Sequence, residues 1–140
     1  MATLVSSDAA WDAVTLRAGL GWSFRSNTDV TTINETCGST TRTHVNSALE
    51  AEAWAIWEAL TQAKSDGIQE IHALSDCQTL VKLLNSSALH TEIQSIIDDI
   101  RALRSSFKLF MFSFIPRCSN SKADALAKNA LQAIVPNHVP

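Results

Sequence analysis

Along the first 45 residues, apolar positions come in short β-prone runs separated by polar, turn-like stretches. Thr3 to Ala10 carries Leu4 and Val5; Ala18 to Arg25 carries Leu20, Trp22 and Phe24 among glycines; Asp29 to Thr36 carries Val30 and Ile33 among threonines. These read as three antiparallel strands, the first two forming a hairpin, with Gly38 to Asn46 as a polar connector. From Asn46 to Ala63 the spacing changes: Leu49, Ala53, Ile56, Leu60 and Ala63 recur at three and four, which predicts a helix stopped by Asp66-Gly67. Ile68 to Leu74 predicts a strand and Asp76 to Asn85 a short helix. Thr91 to Leu103 predicts a third element of helical period through Ile93, Ile96, Ile97, Ile100 and Leu103. Lys108 to Ile115 is β-prone and ended by Pro116, and Ser121 to Ile134 is a last helix. The order βββαβααβα requires a mixed α/β sheet, because parallel neighbours need crossovers whereas antiparallel ones do not.

Composition narrows this picture. With 140 residues, 46% hydrophobic and only 4 Gly and 3 Pro, the chain is one globular domain, expected over residues 1–135 with a tail at 136–140. Its formal charge of −3 supplies no global positive field, so any polyanion must be met locally or through a metal. Cys37, Cys77 and Cys118 have neither the even count of a disulfide framework nor zinc-ligand spacing. No basic start leads into an apolar run, and the longest apolar stretch, Leu109 to Ile115, is far too short for a membrane span. An intracellular protein without membrane attachment is expected, in nucleus or cytoplasm, and a start at Met1 so close to the first strand favours a free-standing one.

Four acids stand in unusual places. On a wheel with Leu49 at zero and about 100 degrees per residue, Ile56 falls near −20 and Glu52 near −60, inside the apolar arc. Glu50 and Glu58 fall outside that arc and read as solvent-facing acids. Asp76 ends an apolar strand and opens a helix, where an N-cap is the ordinary explanation. Asp8 follows Leu4 and Val5 in a strand, where Asp is disfavoured, and Asp12 competes with it for any role. Asp124 has capping-box spacing from Ser121. Together they sit where one sheet edge could gather them, and carboxylates so gathered repel unless a cation intervenes. Oxygen ligands without His or Cys select a hard ion such as Mg²⁺ or Mn²⁺.

At these residues the chain resembles the ribonuclease H-like superfamily, and within it the plant retroelement-type ribonuclease H domain. The likeness covers about residues 4 to 132. It rests on Ser7-Asp8-Ala9-Ala10-Trp11 with Ala18-Gly19-Leu20-Gly21-Trp22, on Ala51-Glu52-Ala53-Trp54-Ala55 with Glu58-Ala59-Leu60, on Ser75-Asp76-Cys77-Gln78, and on Ile115-Pro116-Arg117 leading to Asn120 and Ala123-Asp124-Ala125-Leu126-Ala127. The resemblance implies a five-stranded mixed sheet, its first three strands antiparallel, with helices on both faces. It implies endonucleolytic cleavage of the RNA strand of an RNA/DNA hybrid by two-metal-ion hydrolysis, leaving a 5′ phosphate and a 3′ hydroxyl. Carried over by motif, Asp8, Glu52, Asp76 and Asp124 are the catalytic metal ligands for two Mg²⁺ ions, with Mn²⁺ as a substitute. Gln78, Ala9 and Asn120 are substrate contacts, Gln78 in the minor groove. A monomer is expected.

The sequence also departs from the family pattern. Ala9 follows the first Asp where many members have Gly, as is usual in the plant branch. Ile115 to Asn120 contain no histidine, which many relatives place before the last helix to assist product release; His138 lies in the tail, and His44, His72 and His90 read as surface or packing residues. Glu92, Asp98 and Asp99 offset Arg101 and Arg104, so no basic extension helps hold a hybrid. Trp11, Trp22, Trp54 and Trp57 read as core or rim before they read as base-stacking platforms. A catalytically inactive, retroelement-derived domain with a nucleic-acid or protein interaction role is the alternative, and a nuclease or strand-transfer enzyme acting on DNA is a third reading.

Overall fold

The computed structural model describes residues 2–27 and 33–136. Five strands, β1 (Thr3–Asp12), β2 (Arg17–Asn27), β3 (Ile33–Arg42), β4 (Glu70–Ser75) and β5 (Leu109–Phe114), alternate with α1 (Ala48–Ser65), α2 (Gln78–Leu84), α3 (Gln94–Arg104) and α4 (Ser121–Ile134) in the expected order. Single 3₁₀ turns at Thr91–Ile93 and Arg117–Ser119 precede α3 and α4. The sheet order is β3-β2-β1-β4-β5. β1, β2 and β3 pair antiparallel, whereas β4 joins β1 and β5 joins β4 in parallel.

Side chains alternate across β2, and this alternation sorts the helices. Leu20, Trp22 and Phe24 enter the main core with Val5, Ile71, Ala73 and Phe112 and with the apolar faces of α1, α2 and α3. Gly19 and Gly21 face α4 on the other side, where a Cβ on Gly21 would stand 2.6 Å from the Ala123 carbonyl and 2.7 Å from the Ala127 nitrogen. Glycine on the strand and alanine on the helix therefore let α4 lie directly on the sheet. α1 starts where the Ser47 hydroxyl accepts the Glu50 N–H at 3.0 Å, and it ends at Asp66 with Gly67 at φ +77, a conformation open to glycine. No helix among the described residues is long and apolar enough to cross a membrane.

Three expectations need correction. Gly38 to Arg42 is strand, not connector: β3 pairs with β2 from Ile33 to Arg42, but as a largely exposed edge strand it has no apolar alternation to betray it. Asp29 to Thr32, the start of the expected third strand, lies outside the described residues, as do His138 and the end of the tail. The capping box at Ser121 is not formed; Asn120 is the N-cap, without a side-chain bond, and Asp124 turns elsewhere. Glu50 and Glu58 are half-buried rather than solvent-facing, because the Trp54 indole donates to Glu50 at 3.4 Å and Arg42 on β3 meets Glu58 at 3.5 Å.

Candidate active site

The β1–β4 ladder runs from Thr3↔Ile71 to Ser6↔Leu74 and then stops. Asp8 and Asp76 lie just beyond it, where the parallel strands end, the place at which open α/β sheets build their sites. Asp8 is fully buried; one oxygen, Oδ1, accepts the Ala9 N–H at 2.9 Å and the other, Oδ2, has no partner. Asp12, its rival, is spent on the turn, accepting from the Thr15 backbone N–H at 2.8 Å. Asp76 does not cap α2, whose N-cap is Cys77 without a side-chain bond; the chain there is held instead by Ser75 Oγ, which accepts the Cys77 N–H at 3.1 Å. Glu52 projects from the second turn of α1, and its Oε2 is buried without a partner.

Ligand oxygens of Asp8, Glu52 and Asp76 lie within 4.8 Å of one another. Among the described residues, no cationic side chain pairs with any of the three. Burial raises Asp8 from 3.8 to about 6; the hydrogen bond with Glu52 opposes this, and the charge of Asp76 and contact with Asp124 add to it. Burial, followed by the charge of Asp8, lifts Glu52 well above its ordinary value. The residues thus resist simultaneous ionisation, yet two of them hold a buried oxygen that no protein group satisfies. Such orphaned acceptors cost on the order of 1–3 kcal/mol each. Both features fit a divalent cation, and three carboxylates without nitrogen or sulfur suit a hard one.

Asp124 stands apart from the trio. It is on the first turn of α4, close enough to raise the Asp8 pKa, and its Oδ2 is 3.1 Å from Lys128 Nζ one turn later. Asn120 is 2% exposed. Its Nδ2 donates to the Ser7 carbonyl at 2.9 Å and to Asp76 Oδ2 at 3.4 Å, so it joins β1 to the loop after β4. Gln78 is exposed at the start of α2, and Ala9 is half-buried beside Asp8. Sequence reading missed the structural tie made by Asn120, which the motif marks only as a substrate contact. It also missed Lys128, visible only as an i,i+4 partner of Asp124. Trp22 is 7% exposed and covers Gly38, the Trp11 indole donates to the Val45 carbonyl at 2.8 Å, and Trp54 packs edge-on against Trp57 under the Arg42 guanidinium. The tryptophans are packing residues in this structure. His72 likewise bridges strands, with Nε2 at 2.7 Å from Ser113 Oγ.

Comparison with known proteins agrees with this geometry. The sequence profile described as reverse transcriptase-like matches residues 6–130. The chain is 31% identical over 91 residues to the protein named "Putative hydrolase EbsB" of Enterococcus faecalis, an alignment covering 63% of this chain and 67% of that one. Ribonuclease H1 of the halophilic archaeon Halobacterium salinarum superposes with a TM-score of 0.85 at 25% identity, covering 95% of this chain and 99% of that one. LC11-RNase H1, a protein isolated from compost by a metagenomic approach, was solved in complex with an RNA/DNA hybrid. It superposes with a TM-score of 0.79 at 18% identity over 95% of this chain and 99% of that one, a likeness of fold. With the expected element order and mixed sheet observed and the profile matched over residues 6–130, the chain belongs to the reverse transcriptase-like family of the ribonuclease H-like superfamily.

Proposed function

We propose that this protein cleaves the RNA strand of RNA/DNA hybrids as a metal-dependent endonuclease, with two Mg²⁺ or Mn²⁺ ions held by Asp8, Glu52, Asp76 and Asp124. The observation that carries this reading is the meeting of three carboxylates within 4.8 Å at the strand ends, two with a buried, unsatisfied oxygen. Divalent ions bound there would let the carboxylates ionise together and would stabilise the attacking and leaving oxygens of a phosphodiester in line. The rest falls to the chain. The Ala9 N–H fixes the orientation of Asp8, and Asn120 fixes Asp76 against β1. Gln78 offers an exposed amide to the minor groove, where 2′-hydroxyls distinguish RNA from DNA, and Ala9 approaches the same strand.

The likeness to ribonuclease H1 of H. salinarum and to the hybrid-bound LC11 enzyme supports the substrate class. Ala9 after the first aspartate favours the plant retroelement branch. All four acids come from one chain, so the enzyme works as a monomer, and its nucleic-acid substrate belongs to the nucleus or cytoplasm. With a formal charge of −3, affinity for the hybrid is modest and falls with salt.

The test is cleavage of a labelled hybrid at low salt, with Mg²⁺ and then Mn²⁺, comparing wild type with Asp76→Asn purified in parallel. Cleavage by wild type alone establishes the activity. Equal silence would leave an interaction domain that kept the fold and lost turnover.

A further inference from the structure

The four acids do not share one electrostatic situation. Asp8, Glu52 and Asp76 form the close group, and among the described residues no lysine, arginine or histidine pairs with them. Asp124 is excluded from that group and already holds a cation of the chain's own, Lys128, one helical turn away at 3.1 Å. The pair is partly open to solvent, with 24% of the Asp124 side chain and 40% of the Lys128 side chain exposed. Its two members lie on the same face of α4, which rests on Gly19 and Gly21, so neither backbone can withdraw from the other. Only side-chain rotation, chiefly that of the long lysine, can part the pair.

Resting on the function proposed above, we propose that Lys128 is a resident counter-ion that occupies Asp124 until a divalent ion displaces it, so that the site fills in a fixed order. The first ion enters at Asp8, Glu52 and Asp76, where it displaces no cation and satisfies two orphaned oxygens. The second requires Asp124 and must compete with an ammonium that is covalently tethered and never diluted. Because the pair is half in solvent, the competition is worth a factor of about 2 to 5 in affinity rather than orders of magnitude, and it weakens as salt screens it. The lysine thereby sets the concentration at which the second ion loads.

The test is direct counting of bound Mn²⁺ by electron paramagnetic resonance on the full chain, across a titration at low and high salt. Wild type is expected to show a tighter and a weaker phase. Lys128→Gln should strengthen the weaker phase about 2- to 5-fold and leave the tighter one unchanged, with the difference shrinking at high salt. Lys128→Arg, which keeps the charge, should behave as wild type, and Asp124→Asn should remove the weaker phase alone. A weaker phase unmoved by Lys128→Gln, or two phases moved equally, overturns the proposal while leaving the proposed function standing. A wild type that binds no Mn²⁺ in any phase overturns both. Melting temperature without metal, followed for each variant, reports whether the fold has been kept.

Discussion

Asn120 Nδ2 donates a 2.9 Å hydrogen bond to the backbone carbonyl of Ser7, the residue immediately before Asp8, across 113 positions of sequence. The same nitrogen reaches Asp76 at 3.4 Å, and the Asn120 carbonyl accepts the Asp124 N–H at 3.1 Å. One buried residue therefore fixes the relative positions of three elements that each carry an acid. Replacing it with alanine would leave the Ser7 carbonyl unsatisfied and should destabilise the protein by about 1–3 kcal/mol. Asn120→Asp keeps the shape but removes the donor and adds a further carboxylate beside Asp76. The expected result in urea unfolding is that both variants lose stability. In cleavage assays kcat should fall more than KM rises, because the residue touches the acids and is too buried to touch substrate. A selective rise in KM with kcat intact would show instead that Asn120 reaches the hybrid.

Stability of the metal-free protein should fall as pH rises. Asp8 titrates near 6 in the folded chain against 3.8 as the ordinary value, so the folded state binds the extra proton between those values. The stabilisation is complete below pH 3.8 and is lost as pH climbs through about 6, a difference on the order of 2–3 kcal/mol. Glu52, raised for the same reason, extends the decline to higher pH. Divalent cations bind the deprotonated site, so the rise in melting temperature on adding Mg²⁺ should be larger at pH 8 than at pH 5. Asp8→Asn should flatten the metal-free profile. A metal-free stability curve that rises from pH 4.5 to pH 7 would contradict this account of the site.

Most of the fold was legible because apolar spacing and burial follow the same geometry. α4 occupies Ser121–Ile134 as its pattern predicts, and Glu52 faces inward as its place in the apolar arc requires. The second half of β3 was not legible: Gly38 to Arg42 owe their strand geometry to backbone pairing with Ala18 to Trp22, and an exposed edge leaves no periodic trace. The site was legible in part. The motifs singled out the four acids, but proximity of Asp8, Glu52 and Asp76 depends on where the β1–β4 ladder stops and on how α1 crosses β1, which spacing does not encode. Reading Asp76 as a cap and Asp124 as half of a capping box failed for the same reason. Local rules look for a bond from a helix-start acid to the first-turn N–H groups, whereas Asp76 accepts from Asn120 across the site and Asp124 pairs with Lys128 one turn along its own helix.

Gly21 tests the coupling between packing and site. It pairs with Asp8 across β1 and β2, and a methyl group there would collide with the backbone of α4 at Ala123, next to Asp124, and at Ala127, one turn further on. Backbone cannot rotate out of the way as a long side chain can, so Gly21→Ala should cost about 1–3 kcal/mol or more and push the first turn of α4 outward. The expected outcome is loss of hybrid cleavage beyond that of Ile100→Val, a core change remote from α4, at temperatures where both remain folded. Equal activity in the two would mean that the placement of Asp124 is not limiting.

The buried, unpartnered Oε2 of Glu52 predicts a variant in which stability and activity move in opposite directions. In the absence of metal its carboxyl is desolvated, faces Asp8 and Asp76, and keeps one oxygen without a partner. Glutamine has nearly the same shape, carries no charge to desolvate, and can donate an N–H to the neighbouring carboxylates. Glu52→Gln should therefore raise metal-free stability at pH 7–8 by about 0.5–2 kcal/mol. It should also steepen nothing in the Mg²⁺ response: the metal-induced rise in melting temperature should shrink, because a ligand has been removed and the repulsion that metal relieves is smaller. Hybrid cleavage should be lost. Unfolding curves at pH 8 with and without Mg²⁺, measured beside the cleavage assay, decide the matter. A variant less stable than wild type without metal would mean that the Glu52 carboxyl is a net structural contributor through its bond with Asp8, while one that is more stable yet still cleaves would take Glu52 out of the catalytic set.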